Sequence, residues 1–283
     1  MEIIRSTVEM ANWVDRLLVG GRTIGLVPTM GYFHAGHLSL MRLAAQEADQ
    51  VVVSLFVNPI QFGPQEDLGR YPHDFERDAR LAAEESVAVL FAPTVAEMYP
   101  AGFQSRLKIG ALAEPLCGRQ RPGHFEGVAT VVAKLFNLVR PSVAVFGEKD
   151  FQQLAIIRQI VRDLNWRVRI VGHPIVREAD GLAMSSRNVY LSPEERESAL
   201  CLHEALELAR KRVRDGCSAV RQLKDEIEQS IAGHGGVDVE YINFVDQYNL
   251  TDKSSVDRET VLAMAIRVGR TRLIDNGRLF EGA

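Results

Sequence analysis

The strongest constraint on the fold of this chain is an alternation of short apolar runs with longer amphipathic segments through its first two thirds. The short runs are rich in β-branched residues and predict strands, whereas the longer segments carry apolar residues at helical spacing. Strands separated by helices predict a parallel sheet, because parallel neighbours need a long crossover that is usually helical. The predicted strands are Thr23–Val27, Gln50–Val57, Val87–Phe91, Ser142–Phe146 and Arg167–Val171. The predicted helices are Leu38–Ala48, Phe75–Glu84, Val128–Val139 and Gln152–Leu164.

The pattern changes after about Ser186, and the change predicts a second domain. Ser192-Pro193-Glu194-Glu195 forms a capping box with proline at the first helical position, and it predicts a helix that runs towards Gly216. One more helix and three strands are predicted after it, at Ser218–Ala232, Asp238–Val245, Thr260–Arg267 and Thr271–Ile274. We therefore expect an α/β fold with a Rossmann-like, doubly wound parallel sheet in residues 1–186 and a smaller C-terminal α+β domain in residues 187–283.

Bulk properties exclude several classes of protein. The net charge of -4 gives no broad attraction to nucleic acid phosphates, and 283 residues can bury a core without disulfides. The three cysteines are an odd number without CxxC spacing, which fits a reducing compartment. Residues 1–5 lack the features of a secretory signal, and no apolar run approaches membrane-spanning length. We expect a cytoplasmic protein that binds neither nucleic acid nor membrane.

The loop after the first predicted strand carries two histidines, His34 and His37, at the start of a predicted helix. Free backbone N–H groups at a helix N-terminus attract anions, neutral imidazoles can donate to a phosphate, and Gly31 and Gly36 let a ligand approach the backbone. The pattern therefore favours a nucleotide triphosphate site. One alternative is that both histidines only cap the helix or lie half buried. A zinc site is disfavoured because no third ligand stands nearby and no HExxH motif occurs.

Four further loops carry polar side chains that suit a phosphate-bearing or small acid ligand. Asn58 and Gln61 follow the second strand and offer side-chain amides, although an asparagine before proline often only satisfies its own loop. Gly147-Glu148-Lys149-Asp150 offers a cation for phosphate and a carboxylate for ribose, or is a solvated turn. Met184–Asn188 offers hydroxyls and a guanidinium, or is a hinge, and Arg119–Phe125 lines the mouth of a site or the surface. Arg267, Arg270, Arg272 and Arg278 form a basic cluster that we interpret as mainly structural or solvated, with a lid over phosphates as the alternative.

Together these motifs resemble the HxGH nucleotidylyltransferase superfamily. His34-Ala35-Gly36-His37 matches its signature, and Met184-Ser185-Ser186-Arg187 is similar to its second phosphate-binding motif. Within the superfamily the chain resembles the pantothenate synthetase family over nearly its whole length, in the stretches Pro28–Gly31, Phe56–Phe62, Arg121–Phe125, Gly147–Asp150 with Gln153, and Val268–Asn276. Tyr32 and Phe33 stand where many relatives carry smaller or aliphatic residues, which bears on the shape of the adenine side.

The resemblance implies specific roles for these residues. Around ATP it places Met30, Gly31, Tyr32, Phe33, His34, Ala35, Gly36, His37, Gly147, Glu148, Lys149, Asp150, Val176, Met184, Ser185, Ser186 and Arg187. It implies that Gln61 and Gln153 hold pantoate, that Gln61 also lies near β-alanine, and that His37 is the catalytic acid, with His34 and Lys149 as further catalytic groups. It also implies a homodimer. On physical grounds we expect Mg²⁺ to bridge the phosphates with few protein ligands.

The implied reaction joins (R)-pantoate to β-alanine at the expense of ATP, through a pantoyl-adenylate, and releases AMP and pyrophosphate. Two rival interpretations stay open. One is another HxGH-type adenylyltransferase, which acts on a phosphate-bearing acceptor and should favour a second cationic cluster over Gln61 and Gln153. The other is a catalytically idle nucleotide-binding protein, against which intact His37 and Lys149 argue.

Overall fold

Six parallel strands form the larger sheet of the computed structural model, which describes residues 1–64 and 66–280. Their order across the sheet is β1-β4-β3-β2-β5-β6. All five predicted strands are confirmed with shifted ends, and β1 was not predicted because three residues give too short a pattern. The strands are β1 Glu2–Ile4, β2 Ile24–Thr29, β3 Gln50–Leu55, β4 Val89–Phe91, β5 Val143–Gly147 and β6 Arg169–His173.

Helices cover both faces of this sheet, as a Rossmann-like α/β fold requires. Within the described residues they are α1 Thr7–Val19, α2 Ala35–Glu47, α3 Phe75–Glu84, α4 Val95–Met98, α5 Cys117–Gln120, α6 His124–Val139 and α7 Phe151–Asp163. The four helices predicted for this part of the chain are confirmed, whereas α1 and the short helices α4 and α5 were not predicted. Short 3-10 turns lie at Pro59–Gln61, Leu68–Arg70, Ala111–Ala113, Glu148–Asp150 and Ser186–Tyr190.

The two faces of the sheet bury separate apolar clusters. Leu26 and Val27 are both fully buried, and they belong to different clusters because successive side chains of a strand point to opposite faces. Leu26 packs with residues of α1, α6 and α7, among them Val14 and Leu135. Val27 packs with residues of α2 and α3, among them Met41. This double cover fixes the strands, and with them the loops at their ends.

The C-terminal part of the chain has its own sheet and its own core. Its elements are α8 Pro193–Ala199, α9 Cys201–Arg214, α10 Val220–Ala232, β7 Val237–Asp246, β8 Thr260–Val268 and β9 Thr271–Arg278, and the three strands are antiparallel in the order β7-β8-β9. The prediction of one helix from Ser192 towards Gly216 was wrong, because the Leu200 N–H bonds to Glu197 in a tight turn that separates α8 from α9. The domain boundary after residue 186 stays a prediction, and the 3-10 turn Ser186–Tyr190 spans it.

The strand order places three loops side by side. Strand β2 lies between β3 and β5, and all three run parallel, so their carboxyl ends at Thr29, Leu55 and Gly147 meet at one edge. The chain order also reverses here, since β3 and β4 lie on one side of β2 and β5 and β6 on the other. Ligands of open α/β sheets bind at such a switch point. The site is therefore expected between the loops that follow β2, β3 and β5.

Gly127 on α6 permits the closest approach of a helix to one of these loops. A Cβ atom at this position would lie 2.5 Å from the Ile60 carbonyl oxygen and 2.6 Å from the Gln61 Cα atom. Both atoms belong to the backbone of the turn Pro59–Gln61, which cannot give way as the end of a flexible side chain can. The absence of a side chain at Gly127 therefore sets the position of Gln61.

We expect Gly127→Ala to lower the free energy of unfolding by about 1 to 3 kcal/mol, the usual cost of overpacking, in spite of the higher helix propensity of alanine. Urea denaturation followed by circular dichroism measures this difference. The control is Gly69→Ala, since Gly69 is exposed in a 3-10 turn and a Cβ there meets no atom within 4 Å. Equal stabilities of the two variants would contradict the packing described here.

Candidate active site

A cavity of about 230 Å³ lies at the carboxyl ends of β2, β3 and β5. It adjoins a larger cavity of about 870 Å³, whose wall includes residues of the C-terminal sheet. Lys149, Asp150, Gln153, Ser185 and Arg187 line both. The structure thus brings most of the predicted site residues to the smaller cavity, namely Met30, His34, Gly36, His37, Gln61, Gly147, Lys149, Asp150, Gln153, Val176, Met184, Ser185, Ser186 and Arg187.

Five of the residues predicted to surround ATP do not line either cavity: Gly31, Tyr32, Phe33, Ala35 and Glu148. The Phe33 side chain is fully buried in the core between the sheet and α2. The Tyr32 ring stacks with the guanidinium of Arg77, 5.2 Å from its centroid. Neither side chain therefore faces a cavity in the structure, and their contact with ATP stays a prediction.

Asp78, in α3, fixes the turn that precedes the two histidines. Its carboxylate accepts hydrogen bonds from the backbone N–H groups of Tyr32 (2.6 Å) and Phe33 (2.7 Å), and its side chain is almost fully buried. Burial is the main cause of its raised pKa, which the two hydrogen bonds oppose. We missed this residue, although an aspartate three residues after Phe75 and four before Ala82 stands on the apolar face of its helix.

His34 and His37 form a pair at the start of α2, with ring centroids 4.1 Å apart. The backbone N–H of His34 donates to Nδ1 of His37 at 3.3 Å. Nδ1 of a neutral His37 therefore accepts, so the proton resides on Nε2 and can be donated to a ligand. Gly36 makes room for the pair, because a Cβ there would lie 2.9 Å from the His34 ring.

Both imidazoles are neutral at pH 7. Burial, together with the nearby Lys149 cation, lowers the pKa of His34 to about 4. Burial also holds the pKa of His37 well below its ordinary value, with further lowering by His34 and Lys149. The two rings thus act as uncharged hydrogen-bond donors beside a fixed cation, an arrangement suited to phosphate oxygens.

The amide side of the cavity is built on Asn58. Its Nδ2 donates to the Gln61 Oε1 atom at 2.9 Å and to the Gly127 carbonyl oxygen at 3.1 Å, while its Oδ1 accepts from the Tyr99 hydroxyl at 2.7 Å. These bonds assign the orientation of the Gln61 amide, whose Nε2 donates to the Met30 sulfur. Asn58 therefore holds Gln61 as well as its own loop. Tyr99 was not predicted, since nothing in its local sequence separates it from a core tyrosine.

Gln152 and Gln153 are adjacent in the sequence but have different surroundings. Gln152 is buried and bonds to Cys117 N, Leu112 O and Pro115 O, which secures the segment before α5. Gln153 lines both cavities. Gln152 lines only the larger cavity, with its side-chain amide engaged in these three bonds, whereas Gln153 also reaches the smaller cavity. Contact of Gln153 with pantoate stays a prediction.

Two arginines near the cavities are paired with carboxylates of the loop before Leu68. Arg187 makes a two-pronged ion pair with Asp67, at 2.8 and 2.9 Å. Arg121 pairs in the same way with Glu66. Three arginines of the basic cluster line the larger cavity: Arg267, Arg270 and Arg272. Arg267 and Arg272 are both paired with Glu240. Lys149 also lies at the junction of the cavities, and within residues 1–64 and 66–280 no acidic partner neutralises it.

No group of three or more His, Cys, Asp and Glu side chains in the described part of the chain is arranged to hold a metal ion. Asp150 nonetheless places a carboxylate on the wall of both cavities. This donor set fits Mg²⁺ that is held mainly by phosphate oxygens with few protein ligands. None of the helices described in residues 1–64 and 66–280 is both long and apolar enough to cross a bilayer.

Comparisons with known proteins give a consistent family. Residues 2–278 match the family model described as pantoate-beta-alanine ligase. A curated relative from Desulforapulum autotrophicum, named pantothenate synthetase, is 54% identical over 276 residues, which are 98% of each chain. The crystal structure of pantothenate synthetase from Thermus thermophilus is 46% identical, with a TM-score of 0.95 over 99% of this chain and 100% of that one. The pantoate-beta-alanine ligase of Francisella tularensis, in complex with beta-gamma ATP and β-alanine, is 34% identical, with a TM-score of 0.83 over 100% and 99% of the two chains.

The lowered pKa of His34 predicts a specific pH dependence of stability. An unfolded histidine takes up a proton near pH 6.5, whereas folded His34 does so only at about pH 4, so stability falls as the pH drops through this window. Between pH 7 and pH 5 this one group should cost about 1 to 2 kcal/mol of unfolding free energy. Urea denaturation at pH 7 and at pH 5 measures how much unfolding free energy is lost between the two pH values. This loss should be smaller in His34→Gln than in the wild type by about 1 to 2 kcal/mol. The control is His234→Gln, outside both cavities, and an unchanged difference in His34→Gln would contradict the assignment.

Proposed function

The chain belongs to the pantoate-beta-alanine ligase family, and we propose that it joins (R)-pantoate to β-alanine through a pantoyl-adenylate, with release of AMP and pyrophosphate. The observation that carries this proposal is the lining of one small cavity by His34, His37 and Lys149 together with Gln61 and Gln153. The first group suits a polyphosphate and the second suits a small hydroxy acid.

Pantoate is proposed to bind between the amides and the apolar face of α6. Gln61 and Gln153 would hold it, as the resemblance implies, and side-chain amides suit the hydroxyl and carboxylate groups of a small hydroxy acid. Val128, Val131 and Leu135 line the same cavity and offer a surface for the two methyl groups of the acid. We propose that β-alanine binds next to Gln61, and the β-alanine bound by the Francisella tularensis relative supports a β-alanine site.

We propose that ATP binds along the start of α2 and the Lys149 turn. The beta-gamma ATP in complex with the Francisella tularensis relative supports an ATP site. The carboxylate of pantoate is ionised at neutral pH, so its attack on the α-phosphorus needs no general base. It needs alignment and stabilisation of the charge that grows on the phosphoryl oxygens. His37 would donate Nε2–H to these oxygens, and His34 and Lys149 would stabilise the triphosphate, with Ser185, Ser186 and Arg187. Pyrophosphate then leaves.

The second step consumes the adenylate. The neutral amine of β-alanine attacks the acyl carbon, the bond to the AMP oxygen breaks, and the nitrogen loses a proton as the amide forms. Water must be kept from the adenylate during this step. We propose that the C-terminal domain, residues 187–283, closes over the larger cavity for this purpose, with no covalent enzyme intermediate.

Three further features belong to the same proposal. Mg²⁺ would neutralise charge on the phosphates, and Asp150 offers a carboxylate on the wall of both cavities. The chain is proposed to act in the cytoplasm, in agreement with its cysteine usage, and as a homodimer, as the family resemblance implies. Cytoplasmic action also agrees with a place among the reactions that supply coenzyme A precursors.

A second HxGH-type activity, transfer of AMP to a phosphate-bearing acceptor, is less well supported. Such an acceptor site needs free cations opposite the ATP phosphates. In the structure Arg121 and Arg187 are neutralised by Glu66 and Asp67, and the wall beside Met30 consists of the amides of Asn58 and Gln61. The amides favour a small uncharged or singly charged acceptor.

We expect His37→Ala and Lys149→Ala each to slow pantoate-dependent exchange of pyrophosphate into ATP by about a hundredfold or more, because each removes a donor to the developing charge. The assay is incorporation of labelled pyrophosphate into ATP. Lys224→Ala, at a partly exposed position of α10, and His234→Ala lie outside both cavities, serve as matched controls and should exchange at the wild-type rate.

The product assay completes the test. The wild-type protein with ATP, Mg²⁺, pantoate and β-alanine should form AMP and pantothenate in equal amounts. Near-normal exchange in His37→Ala or Lys149→Ala, with both variants folded, would refute their roles. Consumption of ATP without pantothenate would refute the function itself.

A further inference from the structure

Asn276, in β9, joins the C-terminal sheet to the turn that carries Lys149. Its side-chain Nδ2 donates to the carbonyl oxygens of Glu148 (3.1 Å) and Lys149 (2.9 Å). The residue is buried, and it lines the larger cavity next to the smaller one. One amide group therefore satisfies two successive carbonyls of a short 3-10 turn, which has few hydrogen bonds of its own.

Asp275 fixes the backbone of Asn276 through a hydrogen bond. The backbone N–H of Asn276 donates to Asp275 Oδ1 at 2.8 Å, and the Asp275 carboxylate forms a two-pronged ion pair with Arg177, at 2.7 and 2.9 Å. Arg177 also donates to the Gly181 carbonyl oxygen at 3.0 Å. Because Asp275 is almost fully buried and bidentate, its geometry is well defined. Strand β9 thus contacts both the Lys149 turn and the segment that contains Val176.

We propose that Asn276 is a positioning residue for the reaction: it acts through Lys149 by fixing the turn on which the lysine stands. This inference rests on the proposed role of Lys149. Lysine has a flexible stem, so its ammonium group is placed accurately only if its backbone is held. A misplacement of about 1 Å in an active site can lower a rate by up to a hundredfold. The amide of Asn276 supplies this restraint from the other domain.

A purely structural role for Asn276 gives different expectations. Loss of two hydrogen bonds would then lower stability while the turn and the rate per folded molecule stay as they are. A positioning role predicts a lower maximal rate in a folded protein, faster backbone exchange confined to the turn, and no effect once Lys149 is gone. The experiment therefore compares rate, exchange and coupling in the same set of variants.

The principal variant is Asn276→Ala, and its matched control is Asn243→Ala. Asn243 lies in the same sheet, its side chain donates to Asp252, and it lines neither cavity. At saturating ATP and pantoate we expect the exchange rate of Asn276→Ala to fall about tenfold, with the Michaelis constant for pantoate within about twofold of wild type. Asn243→Ala should keep the wild-type rate. Thermal unfolding confirms that the variants are folded.

Hydrogen–deuterium exchange tests the restraint without reference to activity. Peptides that cover residues 147–157 should exchange faster in Asn276→Ala, whereas peptides of β2 and β3 should not change. If Asn276→Ala does not fold, Asn276→Asp keeps the volume but turns a donor towards the two carbonyls into an acceptor, and it should show the same local change. Unchanged exchange at 147–157 in a folded variant overturns the proposal.

The combination with Lys149→Ala tests whether Asn276 acts through the lysine. The double variant should be no slower than Lys149→Ala alone, since the restraint then has nothing to place. Independent losses that multiply would overturn the proposal. If the wild-type protein shows no pantoate-dependent exchange at all, the proposed function fails, and the proposal of a positioning role fails with it. Faster deuterium exchange at 147–157 would then show only that the amide restrains the turn.

Discussion

The parallel pairing of β2 with β3 on one side and β5 on the other is the constraint on which the site depends. It brings the loops after Thr29, Leu55 and Gly147 to a single edge, although they are far apart in the sequence. Each loop brings a different chemistry: imidazoles at the start of α2, an amide in the turn Pro59–Gln61, and a cation in the turn Glu148–Asp150. A shift of any one strand would separate the imidazoles and the lysine from the amide.

Burial then determines which side chains carry a charge at the carboxyl ends of these strands. Desolvation keeps both histidines uncharged, so the positive charge at the junction of the cavities comes from Lys149, while Arg121 and Arg187 are neutralised by carboxylates. Lys149 beside these neutral donors makes the junction suited to an anionic ligand such as a phosphate group. The residues behind the site serve this arrangement: Asp78 fixes the histidine loop, Asn58 fixes Gln61, and β9 fixes the lysine turn.

The sequence pattern predicted the elements that local hydrophobic periodicity and short motifs determine. The five strands, the four helices between them and the segments after strand ends that carry His37, Lys149 and Gln153 all follow from periodicity and from sequence motifs. The pattern did not predict β1, whose three residues gain their structure only by pairing with β4, or the break at Leu200, which is one tight turn. It also missed Asp78 and Tyr99, because their roles depend on partners 46 and 41 residues away. Gln152 bonds to Leu112, Pro115 and Cys117, which are 35 to 40 residues away, and its sequence pattern does not predict these partners.

The most direct test of the account follows one oxygen atom. If the carboxylate of pantoate attacks the α-phosphorus of ATP in the cavity shared by His37, Lys149 and Gln153, then pantoate labelled with ¹⁸O in its carboxylate must transfer one labelled oxygen to AMP when the amide forms. Mass spectrometry of the products of a complete reaction with β-alanine should find that label in AMP. Label in inorganic phosphate, or AMP without label, would contradict attack at the α-phosphorus and the arrangement of the site from which it was inferred.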